Sequence, residues 1–106
     1  MKFEECYRYM ENLLKSKDFS SVAKEFSAIL YLTGEENGYM YFSYVNGKKI
    51  IEPIRHNSAN LYITMSTVTF EKLITGQADV LRSFTTGQIQ AKGNVVLGLA
   101  LYNALK

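Results

Sequence analysis

The sequence predicts a single domain in which helices flank an antiparallel β-meander. Three observations support this. Apolar residues recur at helical spacing near the start, the middle switches to β-branched and aromatic runs separated by turn residues, and the helical period returns after Ser66. A chain of 106 residues is the size of one domain and buries roughly two-thirds of its unfolded surface in one moderate core. Residues 1–106 therefore read as one unit. Hydrophobic residues at 47% and charged residues at 21% match an ordinary globular protein, so folding is expected.

From Phe3 to Leu14, the residues Phe3, Cys6, Tyr7, Met10, Leu13 and Leu14 follow three- and four-residue steps, which predicts an amphipathic helix. Asp18 and Ser20 then suggest the start of a second short helical segment carrying Val22, Ala23 and Phe26. Ser27–Thr33, Tyr39–Val45 and Lys48–Glu52 read as three antiparallel strands, broken by Gly34–Gly38 and by Asn46-Gly47. Asn-Gly is a strong hairpin signal because both residues accept the positive φ of a type I′ turn. Pro53 cannot donate to a ladder and marks a strand end or edge. Arg55–Asn60 reads as a loop, and Leu61–Met65 as a strand with Leu61, Ile63 and Met65 on one face.

Beyond Ser66, Val68, Phe70, Leu73 and Ile74 predict a short helix ended by Gly76, and Val80, Leu81 and Phe84 another ended by Gly87. Ile89 and Ala91 form a short strand-like piece before Gly93, and Asn94 is a good N-cap for a final helix over Val95–Leu105. Asn103 is the only polar side chain in that helix. Leu97, Ala100, Leu101, Ala104 and Leu105 make one apolar stripe, and Val95, Leu99 and Tyr102 a second. A helix without a polar face needs cover on both sides, from the core, a partner, a membrane surface or a bound apolar ligand.

Charge and motif content exclude several function classes. The formal charge of +2 arises from 12 basic and 10 acidic residues without any basic run, so nucleic acid is not an expected partner. Lys48-Lys49, the densest basic spot, reads as solvated lysines on a hairpin shoulder. Tyr39, Tyr41, Phe42 and Tyr44 place rings on both faces of one strand, which strand propensity explains without base stacking. One cysteine, Cys6, excludes an intrachain disulfide and falls at a core-facing helical position. The opening lacks a signal-peptide pattern, no apolar run approaches a membrane span, and the final Ala104-Leu105-Lys106 lacks the peroxisomal ending, so a cytoplasmic setting is expected. One His, one Cys and two Asp give no metal cluster, and the glycines match no nucleotide-binding spacing, so neither metal nor cofactor is expected. Gly98, inside the last helix, costs roughly 1 kcal/mol against alanine, which close packing or ligand access would explain.

The second half, from about Ala59 to Leu105, resembles the sterol carrier protein type two family of lipid-transfer domains. The resemblance lies in Ala59-Asn60 before an alternating strand, then Ser66, Phe70, Leu73 and Gly76, then Asp79, Phe84 and Gly87, then Ile89, Gly93-Asn94 and an apolar terminal helix. The first half matches in outline, a leading helix and then a meander. The family often has an acid where Asn60 stands, a position that reads as a turn or strand start. The resemblance implies an α+β fold, with helices over a mostly antiparallel sheet and an apolar tunnel between them. It also implies non-catalytic carriage of a fatty acid, acyl-CoA, sterol or isoprenoid.

A tunnel of this kind needs only aliphatic and aromatic walls, since each buried methylene contributes about 0.8 kcal/mol. Phe70, Leu73, Ile74, Leu81, Phe84, Leu97 and Leu101 are its expected lining, and no residue is expected to be catalytic. One alternative is a structural or dimerisation module of the same fold, with no lipid ligand and the last helix covered by a second subunit. Another is a small lipid hydrolase with His56 as base and Ser58 as nucleophile, although no nucleophile elbow surrounds Ser58.

Overall fold

The computed structural model describes residues 1–105. Its elements, in chain order, are α1 (Phe3–Ser16), β1 (Glu25–Thr33), β2 (Gly38–Val45), β3 (Lys48–Glu52), β4 (Leu61–Ser66), α2 (Thr67–Ile74), α3 (Val80–Thr85), β5 (Gln90–Gly93) and α4 (Val95–Leu105). This is the α+β architecture expected from the sequence.

Helix α1 buries Cys6 and Leu14, members of its apolar stripe. Near its start, Glu5 reaches back to accept the Lys2 backbone N–H at 3.1 Å. At its other end the Lys49 ammonium donates to the carbonyls of Leu14 at 2.8 Å and Lys15 at 3.2 Å, and to that of Lys17. A cation here satisfies terminal carbonyls and opposes the negative end of the helix dipole. Lys49 is therefore not a solvated shoulder lysine. It ties the hairpin to α1 and lies 5.1 Å from the Phe19 ring centre, while Lys48 stays exposed.

The short helix expected around Asp18–Phe26 is absent, and a turn takes its place. The Asp18 carboxylate accepts the Ser20 backbone N–H at 2.9 Å and the Ser20 hydroxyl at 3.0 Å, closing a local turn instead of opening a helix. This turn plants Phe19, fully buried, against Phe42 and Phe26 with ring centres 5.1 and 6.1 Å away. Phe26 belongs to β1, two residues before buried Ala28 on the same face.

The five strands run β3-β2-β1-β4-β5 across the sheet. Asn46 at φ 50° and Gly47 at φ 85° form the β2–β3 turn that the Asn-Gly pair predicts. Three pairings are antiparallel, but β1 and β4 run parallel with Ala28 opposite Leu61 and Thr33 opposite Ser66. The sheet is thus mostly antiparallel. After β3 ends ahead of Pro53, residues 53–60 must pass β2 and β1 to reach β4.

Asn60 fixes the far end of that passage. Its side-chain oxygen accepts the Ser27 backbone N–H at 2.8 Å, and its carbonyl accepts Asn94 N–H at 2.8 Å. Gly93 lies so close, at φ 87°, that a Cβ there would stand 2.5 Å from the Asn60 carbonyl oxygen. Asn94 then caps α4 by accepting the Leu97 N–H at 3.0 Å.

Alternation along β2 separates the faces of the sheet. Met40, Phe42 and Tyr44 are buried toward the helices, whereas Tyr39 and Tyr41 point the other way. On that outer face the 53–60 segment lays Arg55 over Tyr39 at 5.5 Å and stacks His56 on Tyr41 at 3.5 Å. The core on the helix side forms two clusters. The larger joins Phe19, Phe26, Phe42, Tyr44, Leu61, Leu97 and Leu101, and the smaller joins Cys6, Leu32 and Phe70.

Candidate functional site

A cavity of about 360 Å³ lies where these two clusters approach, with residues of both in its wall. The sheet supplies one wall: Ala28, Ile29 and Leu30 from β1, Met40 and Phe42 from β2, and Ile63 and Met65 from β4. Helix α1 adds Tyr9, Met10, Leu13 and Leu14, and α2 adds Phe70, Leu73 and Ile74. Val80 at the start of α3, Ile89, and the α4 residues Gly98, Leu101, Tyr102 and Leu105 close the remaining side.

This wall follows from local periodicity. Met10 and Leu13–Leu14 lie on one stripe of α1, Leu101 and Leu105 are one turn apart on α4, and Ile63 and Met65 share a face of β4. Tyr9 meets Phe70 edge to face with ring centres 5.9 Å apart, bridging α1 and α2.

Among the described residues, the only polar side-chain groups in the wall are the hydroxyls of Tyr9 and Tyr102, and none of the lining residues is charged. A carboxylate or phosphate inside would be desolvated without an opposing charge, a cost that excludes it. An aliphatic chain or ring system would exchange water for apolar contacts. The volume falls at the lower end of the roughly 300–1,000 Å³ typical of small-molecule sites.

Four of the seven lining residues expected from the sequence, Phe70, Leu73, Ile74 and Leu101, stand in this wall. The other three lie elsewhere. Leu97 is buried in the larger core cluster. Leu81 and Phe84 face solvent at 52% and 42% exposure, because α3 turns Val80 and Ser83 inward. Missing from the sequence-based set were Met10 and Leu13, Met40 and Phe42, and the Ile63–Met65 pair. Their periodic faces were legible, but not the fact that those faces converge on one space.

The residues considered for catalysis lie outside the wall. His56 contacts Glu52, with Nε2 and Oε1 3.1 Å apart, and stacks on Tyr41, on the face of the sheet away from the cavity. Ser58 is exposed in the same loop. Cys6 is fully buried, and desolvation raises its thiol pKa above the ordinary value, favouring the protonated, unreactive form. Among the described residues, no group of three His, Cys, Asp or Glu side chains could hold a metal ion, and no helix is long and apolar enough to cross a membrane.

A family model described as the SCP-2 sterol transfer family matches residues 11–106. A curated protein of Yarrowia lipolytica named fatty acid-binding protein is 38% identical over 48 residues, which span 45% of this chain and 37% of that protein. The solution structure of palmitated SCP2L2 from Aedes aegypti superposes with a TM-score of 0.77 at 12% identity, covering 99% of this chain and 95% of that one. The sec-alkylsulfatase Pisa1 from Pseudomonas sp. contains a similar fold, with TM-score 0.65 and 13% identity, covering 92% of this chain but 15% of that enzyme.

Proposed function

Because the chain belongs to the SCP-2 sterol transfer family, we propose that it binds and carries a hydrophobic lipid, a fatty acid, acyl-CoA, sterol or isoprenoid, without chemistry on it. The observation that carries this proposal is the 360 Å³ cavity, whose wall holds no charged group among the described residues. About ten methylenes buried there would contribute roughly 8 kcal/mol of transfer energy, comparable to a micromolar Kd before the costs of association. A carboxylate or CoA head would stay at the solvent side while the apolar part entered. The separation of His56 and Ser58 from the wall supports carriage over hydrolysis.

Titration of delipidated protein with a fluorescent fatty acid tests the proposal. Saturable binding near one ligand per chain is expected, displaced by unlabelled fatty acid. Absence of saturable binding to a folded, delipidated sample would overturn it.

A further inference from the structure

Sulfur is unevenly placed in this fold. The sequence has four methionines and one cysteine, and three of the methionines, Met10 on α1, Met40 on β2 and Met65 on β4, stand in the cavity wall. Met40 lies opposite Leu30 and Met65 opposite Leu32, on the two sides of β1. Their strands are therefore roughly 10 Å apart across the sheet, and Met10 joins them from the helix layer. Strand propensity does not ask for methionine at positions 40 and 65, where β-branched or aromatic side chains are the ordinary choice.

A thioether is a nucleophile that an uncharged wall does not disable. A thiol must ionise and a hydroxyl needs a base before either attacks, and among the described residues the wall holds no charged group and no histidine. Methionine sulfur attacks with a lone pair and has no proton to lose. Peroxide O–O bonds oxidise it to the sulfoxide. The apolar molecule that brings such a bond into this cavity is a fatty acid hydroperoxide, formed when oxygen adds to an unsaturated acyl chain. One molecule confined to 360 Å³ has a local concentration on the order of 5 M, as in other encounters made intramolecular by binding. Against micromolar hydroperoxide in bulk water this is on the order of a millionfold advantage, gained without an activating residue.

We propose that the methionines of the wall reduce the hydroperoxide of a peroxidised acyl chain held in the cavity, each being consumed as it does so. Sulfur attacks the terminal peroxide oxygen, the O–O bond breaks, and the departing alkoxide takes the proton from the transferred hydroxyl. The lipid is left as an alcohol and the methionine as its sulfoxide, two electrons having passed from sulfur to the peroxide. Sulfurs on three elements around one space serve peroxides at different points along a chain. Because the sulfoxide is polar and costly to bury, each transfer also lowers the affinity of the wall for the next chain. This inference rests on the carriage reading above and concerns only cargo that arrives peroxidised.

Delipidated protein mixed with one equivalent of linoleic acid hydroperoxide tests it, with the protein followed by intact and peptide mass spectrometry and the lipid by chromatography. One hydroxy fatty acid should appear for each oxygen the protein gains. That oxygen should fall on Met10, Met40 and Met65, with at least tenfold less on Met1, which lies outside the wall. Met40 is 2% exposed, so hydrogen peroxide at the same concentration should oxidise it at least a hundredfold more slowly. Excess linoleic acid should suppress the reaction. Met10→Leu, Met40→Leu and Met65→Leu combined conserve volume, and should keep fatty-acid affinity within threefold while lowering hydroperoxide reduction at least tenfold. If the combined variant does not fold, the peptide map of the wild type decides alone. Saturable binding of the hydroperoxide without its reduction, oxidation spread evenly over Met1 and the wall, or unchanged reduction by the folded variant would each overturn the inference and leave carriage standing. No saturable binding of linoleic acid or of its hydroperoxide would overturn carriage and the inference with it.

Discussion

Leu101 belongs both to the larger core cluster and to the cavity wall, at 8% exposure. Leu101→Ala removes three side-chain carbons, worth about 2.4 kcal/mol of transfer energy at roughly 0.8 kcal/mol each. A leucine packed on every side would lose further dispersion contacts around a new void, giving the upper part of the roughly 2–5 kcal/mol range. Leu101 already borders empty space on one side, which keeps the expected loss near 2–3 kcal/mol by the same rule. For a domain of about 100 residues this is a fall in Tm of about 10–20 °C. The widened cavity also costs the ligand about one methylene of contact, roughly a fourfold weaker Kd. Urea melts of delipidated wild type and variant, beside fatty-acid titrations, measure both quantities. A loss above about 4 kcal/mol with unchanged Kd would show Leu101 packed on all sides and refute this cavity as the binding site. A loss below about 0.5 kcal/mol would refute its membership of the core.

Three further predictions follow from particular contacts. A Cβ on Gly98 would meet the two Leu61 methyls at 3.4 and 3.5 Å, ordinary contact, so Gly98→Ala should stabilise by about 0.5–1 kcal/mol in urea melts. Destabilisation would show that α4 needs glycine for close packing. Asn60→Ala removes the acceptor for the Ser27 N–H and should cost about 1 kcal/mol, whereas Asn60→Asp keeps that acceptor and should stay within about 0.5 kcal/mol. Equal losses in thermal melts would refute the acceptor role. Hydrogen bonds from the Ser20 N–H and hydroxyl hold the Asp18 carboxyl below its ordinary pKa. Its contribution to stability is present above the ordinary carboxylate range and is lost as pH falls through the lowered folded value. The Tm difference between wild type and Asp18→Ala should therefore be largest near neutrality and shrink below about pH 4, and a difference that grew on acidification would contradict this.

Features set by residues near one another in sequence were legible. The Asn46-Gly47 turn, the Asn94 cap of α4 and the end of β3 ahead of Pro53 each follow from φ preference or a missing donor within a few residues. The same local reasoning misplaced Asp18 and Ser20, because a carboxylate preceding a serine by two positions can cap a helix or close a turn with nearly the same chemistry. Only the fate of Phe19 and Phe26, drawn into the larger core cluster, decides between them.

The sequence by itself determined which residues are periodic, where the chain turns, and that α4 has no polar face. Tertiary structure decided that β4 lies parallel to β1, that Lys49 is spent on the end of α1, and that α3 turns Val80 inward and Leu81 and Phe84 outward. It also decided that the binding space is bounded by sheet residues such as Met40 and Ile63 as much as by helices. A cavity is space left between side chains far apart in sequence, and no local periodicity encodes the distance at which two core clusters stop short of each other.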